Sequence, residues 1–250
     1  MTSTVDISPE LLNKIQNGFQ RAFEADPEIK QLYRSVTDGS KTFSDANRFA
    51  VRTSEILSDQ FRKHLSADVL PDGKFYYNIA QKILSPTLEN NYTLISNICQ
   101  DIQLNIYSNI GLGLQPMTAG VNKSRVNGLA WKASQYDTFD ESAWLLAEPI
   151  VNFSQNVVDE FIQVNTDFQY DSGLDPKIIR TVVGDCCEWC QNLAGTYDYD
   201  EVRETGNNVF RRHERCRCTV DYVLGRRKQN VHTKKWADST PEQIEARKQA

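Results

Sequence analysis

Asp185-Cys186-Cys187-Glu188-Trp189-Cys190 and Arg212-His213-Glu214-Arg215-Cys216-Arg217-Cys218 decide how this chain is read. Five of the six cysteines and one of the three histidines lie in these two segments. The spacings C-x-x-C, H-x-x-C and C-x-C are those of metal knuckles. A C-x-x-C turn aims Cys187 and Cys190 at one point, and His213 with Cys216 or Cys218 brings a second pair from another turn or strand. Four such donors close a tetrahedron around zinc and leave no position for water, which marks a structural site rather than a catalytic one. Cys186 stands beside Cys187 and is left as a spare thiol. Alternation along a strand puts Cys216 and Cys218 on one face, so the spacing leaves both open as the fourth ligand.

Reduced buried thiols, a disulfide pair and redox use are the other readings these cysteines admit. Disulfides suit secreted chains, but the opening residues Met1 to Glu10 hold no basic stretch followed by an apolar one, which is the pattern of a signal peptide. Redox use of C-x-x-C alone needs no second donor cluster. Zinc accounts for both halves. Cys99 stands apart among Ile95, Ile98 and Ile102 and is expected to pack as a small hydrophobe.

The string CEWCQNLAGTY (187–197) followed by VFRRHERCRCTV (209–220) resembles the carboxy-terminal signature of the phage Mu F-like minor head proteins, the phage head-morphogenesis or minor capsid family. That signature pairs C-x-x-C-x-x-L-x-G with a later H-x-x-C-R-C and a short apolar strand. Cys187, Cys190, Leu193, Gly195, His213, Cys216, Arg217 and Cys218 match it, within about residues 178–224. Glu214 and Arg215 depart from it, standing where the family often has Pro and Asn. The resemblance implies a virion component made in the bacterial host cytoplasm and present in few copies at the portal vertex. Its implied partners are the portal protein and/or the major capsid protein, and its role head morphogenesis and/or DNA packaging or delivery.

Composition agrees with a globular chain: of 250 residues 40% are hydrophobic and 24% charged, enough for a sizeable core. No apolar run reaches the length of a membrane span, so no membrane association is expected. Charge is unevenly placed. From Arg203 onward 12 Lys and Arg face 6 Asp and Glu, a balance of +6, so a net charge of −5 leaves −11 on residues 1–202. The basic end suits non-specific contact with DNA or with an acidic protein surface.

Helical periodicity dominates the first two thirds. Ser8-Pro9-Glu10 opens a helix carrying Leu11, Ile15, Phe19 and Phe23, and Asp26-Pro27 opens a second that Asp38-Gly39-Ser40 ends. Thr42 or Ser44 caps a third with Phe49, Ile56, Leu57 and Phe61. Further helices are expected from Phe75 to Leu84, from Ser85-Pro86 through Ile110, over 124–136, over 140–146 and from Glu148-Pro149 through Ile162. The segment 111–120, with three glycines and a proline, reads as a loop, and Asp171-Ser172-Gly173 as a boundary. Strands are expected at 178–183, 195–199 and 218–223, and Gly206-Asn207-Asn208 as a turn.

The expected fold is therefore α+β. A helical domain (1–172), which docks on portal or capsid, is followed by a zinc-stapled β-rich domain (173–225) and a basic tail (226–250). The sequence contains no P-loop, dinucleotide fingerprint, H-E-x-x-H or G-x-S-x-G, so no enzyme is expected and no catalytic residue is assigned. His64 reads as a surface or packing histidine on a helix, and His232 has no partner at any ligand spacing. A zinc-containing DNA-binding accessory protein is the alternative; a nuclease or other hydrolase ranks below it.

Overall fold

Apolar residues at helical spacing form an amphipathic helix α1 (Ser8–Ala25) that buries Leu11, Ile15, Phe19 and Phe23. The chain is seen in a computed structural model that describes residues 6–37, 41–203, 208–225, 229–230 and 235–236. Asp6 Oδ1 accepts the Ser8 N–H at 3.0 Å, so Asp6 rather than Ser8 serves the start of α1. Asp26 begins α2 (Pro27–Thr37) by accepting the Ile29 N–H at 2.9 Å, and its other oxygen takes Arg52 at 2.6 Å. Thr42 caps α3 (Phe43–His64), where Asp45 reaches back to the Thr42 N–H at 3.2 Å. The expected stop at Asp38-Gly39-Ser40 lies outside the described residues.

Sequence reading places two helices where the structure has one. Pro86 sits inside α4 (Tyr77–Asn109), 33 residues that run about 50 Å at 1.5 Å per residue. A proline lacks the N–H owed to the carbonyl four residues back. The Thr87 hydroxyl helps to hold the turn by donating to Ile83 O at 2.8 Å and Leu84 O at 3.1 Å. Ile79, Ile83, Leu84, Leu88 and Ile95 are buried on both sides of Pro86, so packing carries the helix through it.

The chain continues through α5 (Lys123–Ser134), α6 (Phe139–Ser142) and α7 (Glu148–Asp171). The glycine-rich segment before α5 is a loop, as expected, and it lies against α7. The Asn165 side chain acts there as a second peptide group, accepting the Met117 N–H at 2.9 Å and donating to Met117 O at 2.8 Å.

Beyond α7 comes one three-stranded antiparallel sheet, in the order β2 (Gly195–Asp198), β1 (Asp175–Thr181), β3 (Thr219–Gly225). In register, Ile178 faces Tyr222 and Tyr197, and Arg180 faces Val220. Short helices α8 (Glu188–Asn192) and α9 (Tyr199–Arg203) interrupt the β1–β3 connection. A two-residue pair, β4 (Gln229–Asn230) with β5 (Lys235–Trp236), follows. The fold is thus mostly helical with a small sheet near its end. The expected turn at Gly206-Asn207 and most of the basic tail, His232 included, lie outside the described residues.

The residue 172/173 boundary marks the change from helix to sheet, but the hydrophobic core runs across it. Ile178, Val220 and Tyr222 share one buried cluster with Phe43, Phe161 and Ile162. Tyr222 stacks obliquely on Phe43 at 5.7 Å between ring centroids, and its hydroxyl accepts from Gln103 of α4 at 2.5 Å and Gln169 of α7 at 2.9 Å. No helix among the described residues is long and apolar enough to cross a membrane.

Candidate metal centre

Two tight turns present the donors. After β1 the chain reverses at Gly184, whose φ of +67° lies in the left-handed region that glycine enters without steric cost. Cys187 then precedes α8, and one helical turn brings Cys190 round to the same side while the Gln191 N–H closes on Cys187 O at 3.1 Å. The second turn runs from His213 to Cys216. Cys216 N–H donates to His213 O at 3.2 Å and Arg215 takes a φ of +60°, uncommon for a residue with a Cβ.

These turns bring together all five donors singled out from the sequence. Cys187 Sγ lies 3.3 Å and Cys190 Sγ 2.9 Å from His213 Nε2, and Cys190 Sγ lies 3.8 Å from Cys216 Sγ. Zinc with arms of about 2.0–2.3 Å sets its tetrahedral donors about 3.5–3.8 Å apart, close to two of these three separations. The donors group as Cys187, Cys190 and His213, and as Cys190, Cys216 and Cys218, each set within 4.8 Å. Cys190 belongs to both. Cys190, Cys216 and Cys218 are 1% exposed, whereas Cys187 is open to solvent. Cys186 is half-buried beside the centre, and Cys99 packs in the helical core, as expected.

No protein-family model, curated protein or solved structure matches this chain. The clustered cysteine and histidine groups could hold a metal ion, and sulfur and imidazole nitrogen are the donor types of zinc sites. His213 Nδ1 donates to Glu214 O at 2.5 Å, which fixes the tautomer and leaves Nε2 free to bind.

Around the donors lies a set of residues that sequence reading missed. Arg180 of β1 is 2% exposed and donates to Val209 O, to Arg211 O at 2.9 Å and to Cys216 Sγ at 3.6 Å. Its guanidinium lies over the Trp189 ring, 5.5 Å from the centroid, and Trp189 in turn meets His213 edge to face at 5.6 Å. Helix α7 supports the second turn from one face, since Glu148, Asn152 and Asp159 recur at helical spacing. Glu148 pairs bidentately with Arg217 at 3.0 Å, Asn152 donates to His213 O at 3.5 Å, and Asp159 takes Arg212 at 2.5 and 2.8 Å. The Arg212–Asp159 pair is buried, at 5% and 3% side-chain exposure. One signal was in the sequence: Arg180 interrupts the apolar run Ile178-Ile179-Arg180-Thr181-Val182-Val183, and an arginine in a buried strand needs partners.

The thiols titrate differently. Burial pushes the Cys190 thiol up, and the hydrogen bonds its S–H donates to Cys218 and Cys216 add to that. Burial also opposes ionisation of Cys216, yet the Cys218 N–H, the Arg212 and Arg180 charges and Cys190 together bring it below the ordinary thiol value. Burial pushes Cys218 up. His64 lies at the end of α3, where burial and then Lys63, Lys14 and Arg21 depress it.

Proposed function

We propose that this chain is a phage minor head protein of the Mu F-like class, acting in head morphogenesis and/or DNA packaging or delivery, with a zinc-bound, structural Cys/His centre. The observation that carries the reading is convergence of the two halves of the quoted signature: Cys190 lies against both His213 Nε2 and Cys216 Sγ, 23 and 26 residues away in sequence. In this reading Cys187, Cys190 and His213 bind the ion together with Cys216 or Cys218, and the ion crosslinks the two turns against α7. No catalytic role is assigned, because four protein donors leave no open position for substrate.

The partners in this reading are the portal protein and/or the major capsid protein, met by the acidic helical part. The basic end faces DNA or an acidic neighbour. Its location is the virion head, after assembly in the bacterial host cytoplasm. The charge split, −11 before Arg203 and +6 from it onward, also favours a second reading, a zinc-containing DNA-binding accessory protein.

Purified virions separate the two. The head-protein reading expects this chain in washed particles at a fixed low ratio to portal. Absence from particles, together with duplex binding that weakens steeply with salt, would favour the DNA-binding reading.

A further inference from the structure

The two buried thiols of the Cys216-Arg217-Cys218 motif compete for one position, and the residues around them are not equivalent. Three thiolates and a neutral imidazole around a zinc ion leave a net charge of −1, which a site closed to water must compensate. Arg180 is a buried cation that donates to a sulfur of the cluster, Cys216 Sγ at 3.6 Å. Its position is fixed by Val209 O and by Arg211 O at 2.9 Å, both in the chain leading into the second turn, and by the Trp189 ring of the first. One side chain from β1 therefore ties both ligand turns together. The Cys216 sulfur sits 3.8 Å from that of Cys190, a tetrahedral edge for two zinc thiolates. The guanidinium of Arg212, held by Cys218 O and Asp159, faces the Cys216 sulfur as well, so both buried arginines favour Cys216.

We infer that Arg180 selects Cys216, and not Cys218, as the thiolate that closes the metal centre. Arg180 acts through the sulfur and is a positioning residue. The inference rests on the reading of the site as a zinc centre. Cys218 then stays a resident thiol behind the ion.

The test uses the full chain and zinc itself, with affinity measured by competition against a chromophoric chelator and thiolate count by the charge-transfer band of the cobalt-substituted protein. Cys218→Ser should bind one zinc within about threefold of the parent affinity and keep the band. Cys216→Ser should lose about 10- to 100-fold, the scale set by changes at a metal's immediate surroundings, and lose part of the band. In an Arg180→Met background the gap between the two serine variants should shrink at least about threefold with Arg212 left in place, a narrowing that a merely structural role for Arg180 would not produce. Arg180→Lys keeps the charge without the planar fork and should narrow the gap partly, so it carries the test if the methionine variant does not fold. An equal or larger loss in Cys218→Ser than in Cys216→Ser overturns the inference, as does an undiminished gap without Arg180. A parent protein that binds no zinc defeats the metal reading itself, a different result from either.

Discussion

Arg212 stands beside His213, and its guanidinium spans Asp159 of α7, Asn47 of α3 and Cys218 O. Removing one member of such a buried pair leaves an uncompensated charge, a loss of about 3–5 kcal/mol. Asp159→Asn should therefore lower unfolding stability in urea by about that much, and joint replacement of Asp159 and Arg212 by Leu and Met should recover most of it. A single-variant loss under about 1 kcal/mol would remove the pair from the support of the centre. Asp221 supplies a pH-dependent term. Burial pushes its carboxyl up, only partly offset by hydrogen bonds from the Tyr222 and Ser44 N–H groups and from Thr42. An acid whose pKa is higher folded than unfolded binds more protons in the native state, so stability falls as pH rises from the unfolded toward the folded pKa. That slope is at most about 1.4 kcal/mol per pH unit for one proton. Asp221→Asn should flatten the profile just above the usual carboxylate range and be the more stable form at neutral pH. An unchanged profile would mean that Asp221 titrates as an exposed acid. Of this neighbourhood only the Cys/His cluster was legible in sequence; Arg212 and Asp159 were not singled out as partners, because nothing local shows that they meet.

At the scale of elements, α4 is the informative case. Pro86 was read as a helix start because proline favours the first turn, and that local rule lost to the apolar residues buried on either side of it. Pro86→Ala restores an N–H to the helix and should raise stability by about 1–2 kcal/mol. That is less than the roughly 3 kcal/mol of an unaccommodated proline, because the unfolded chain also gains freedom. A fall in the thermal midpoint would show that the proline is needed in place. Most helix starts and all three strands of the sheet were legible, since capping residues and apolar periods of 3.6 and 2 are local signals. The pairing order β2-β1-β3 was not, because register depends on which distant strand is available.

At the scale of the whole molecule, sequence suggested a helical part and a zinc-stapled part meeting at 172/173, and the buried cluster crosses that point. One cooperative transition follows from a shared core. Far-UV dichroism and tryptophan fluorescence, which includes Trp189 beside His213, should lose signal at the same denaturant concentration. Cys187→Ser with Cys190→Ser should lower that common midpoint, as should a strong chelator, because a metal bound only by the native state stabilises it by mass action. Two separated transitions would sink the single-core account.

The helical majority, the small late sheet and the Cys and His residues that cluster were legible locally, because side-chain period, caps and ligand spacing act over a few residues. That Pro86 lies inside one helix, that the core spans the expected boundary and that Arg180 donates to Cys216 came from long-range packing. Those outcomes rest on packing between residues far apart in the chain, such as Gln103 and Tyr222, 119 positions apart, and no local signal encodes which distant surfaces will meet.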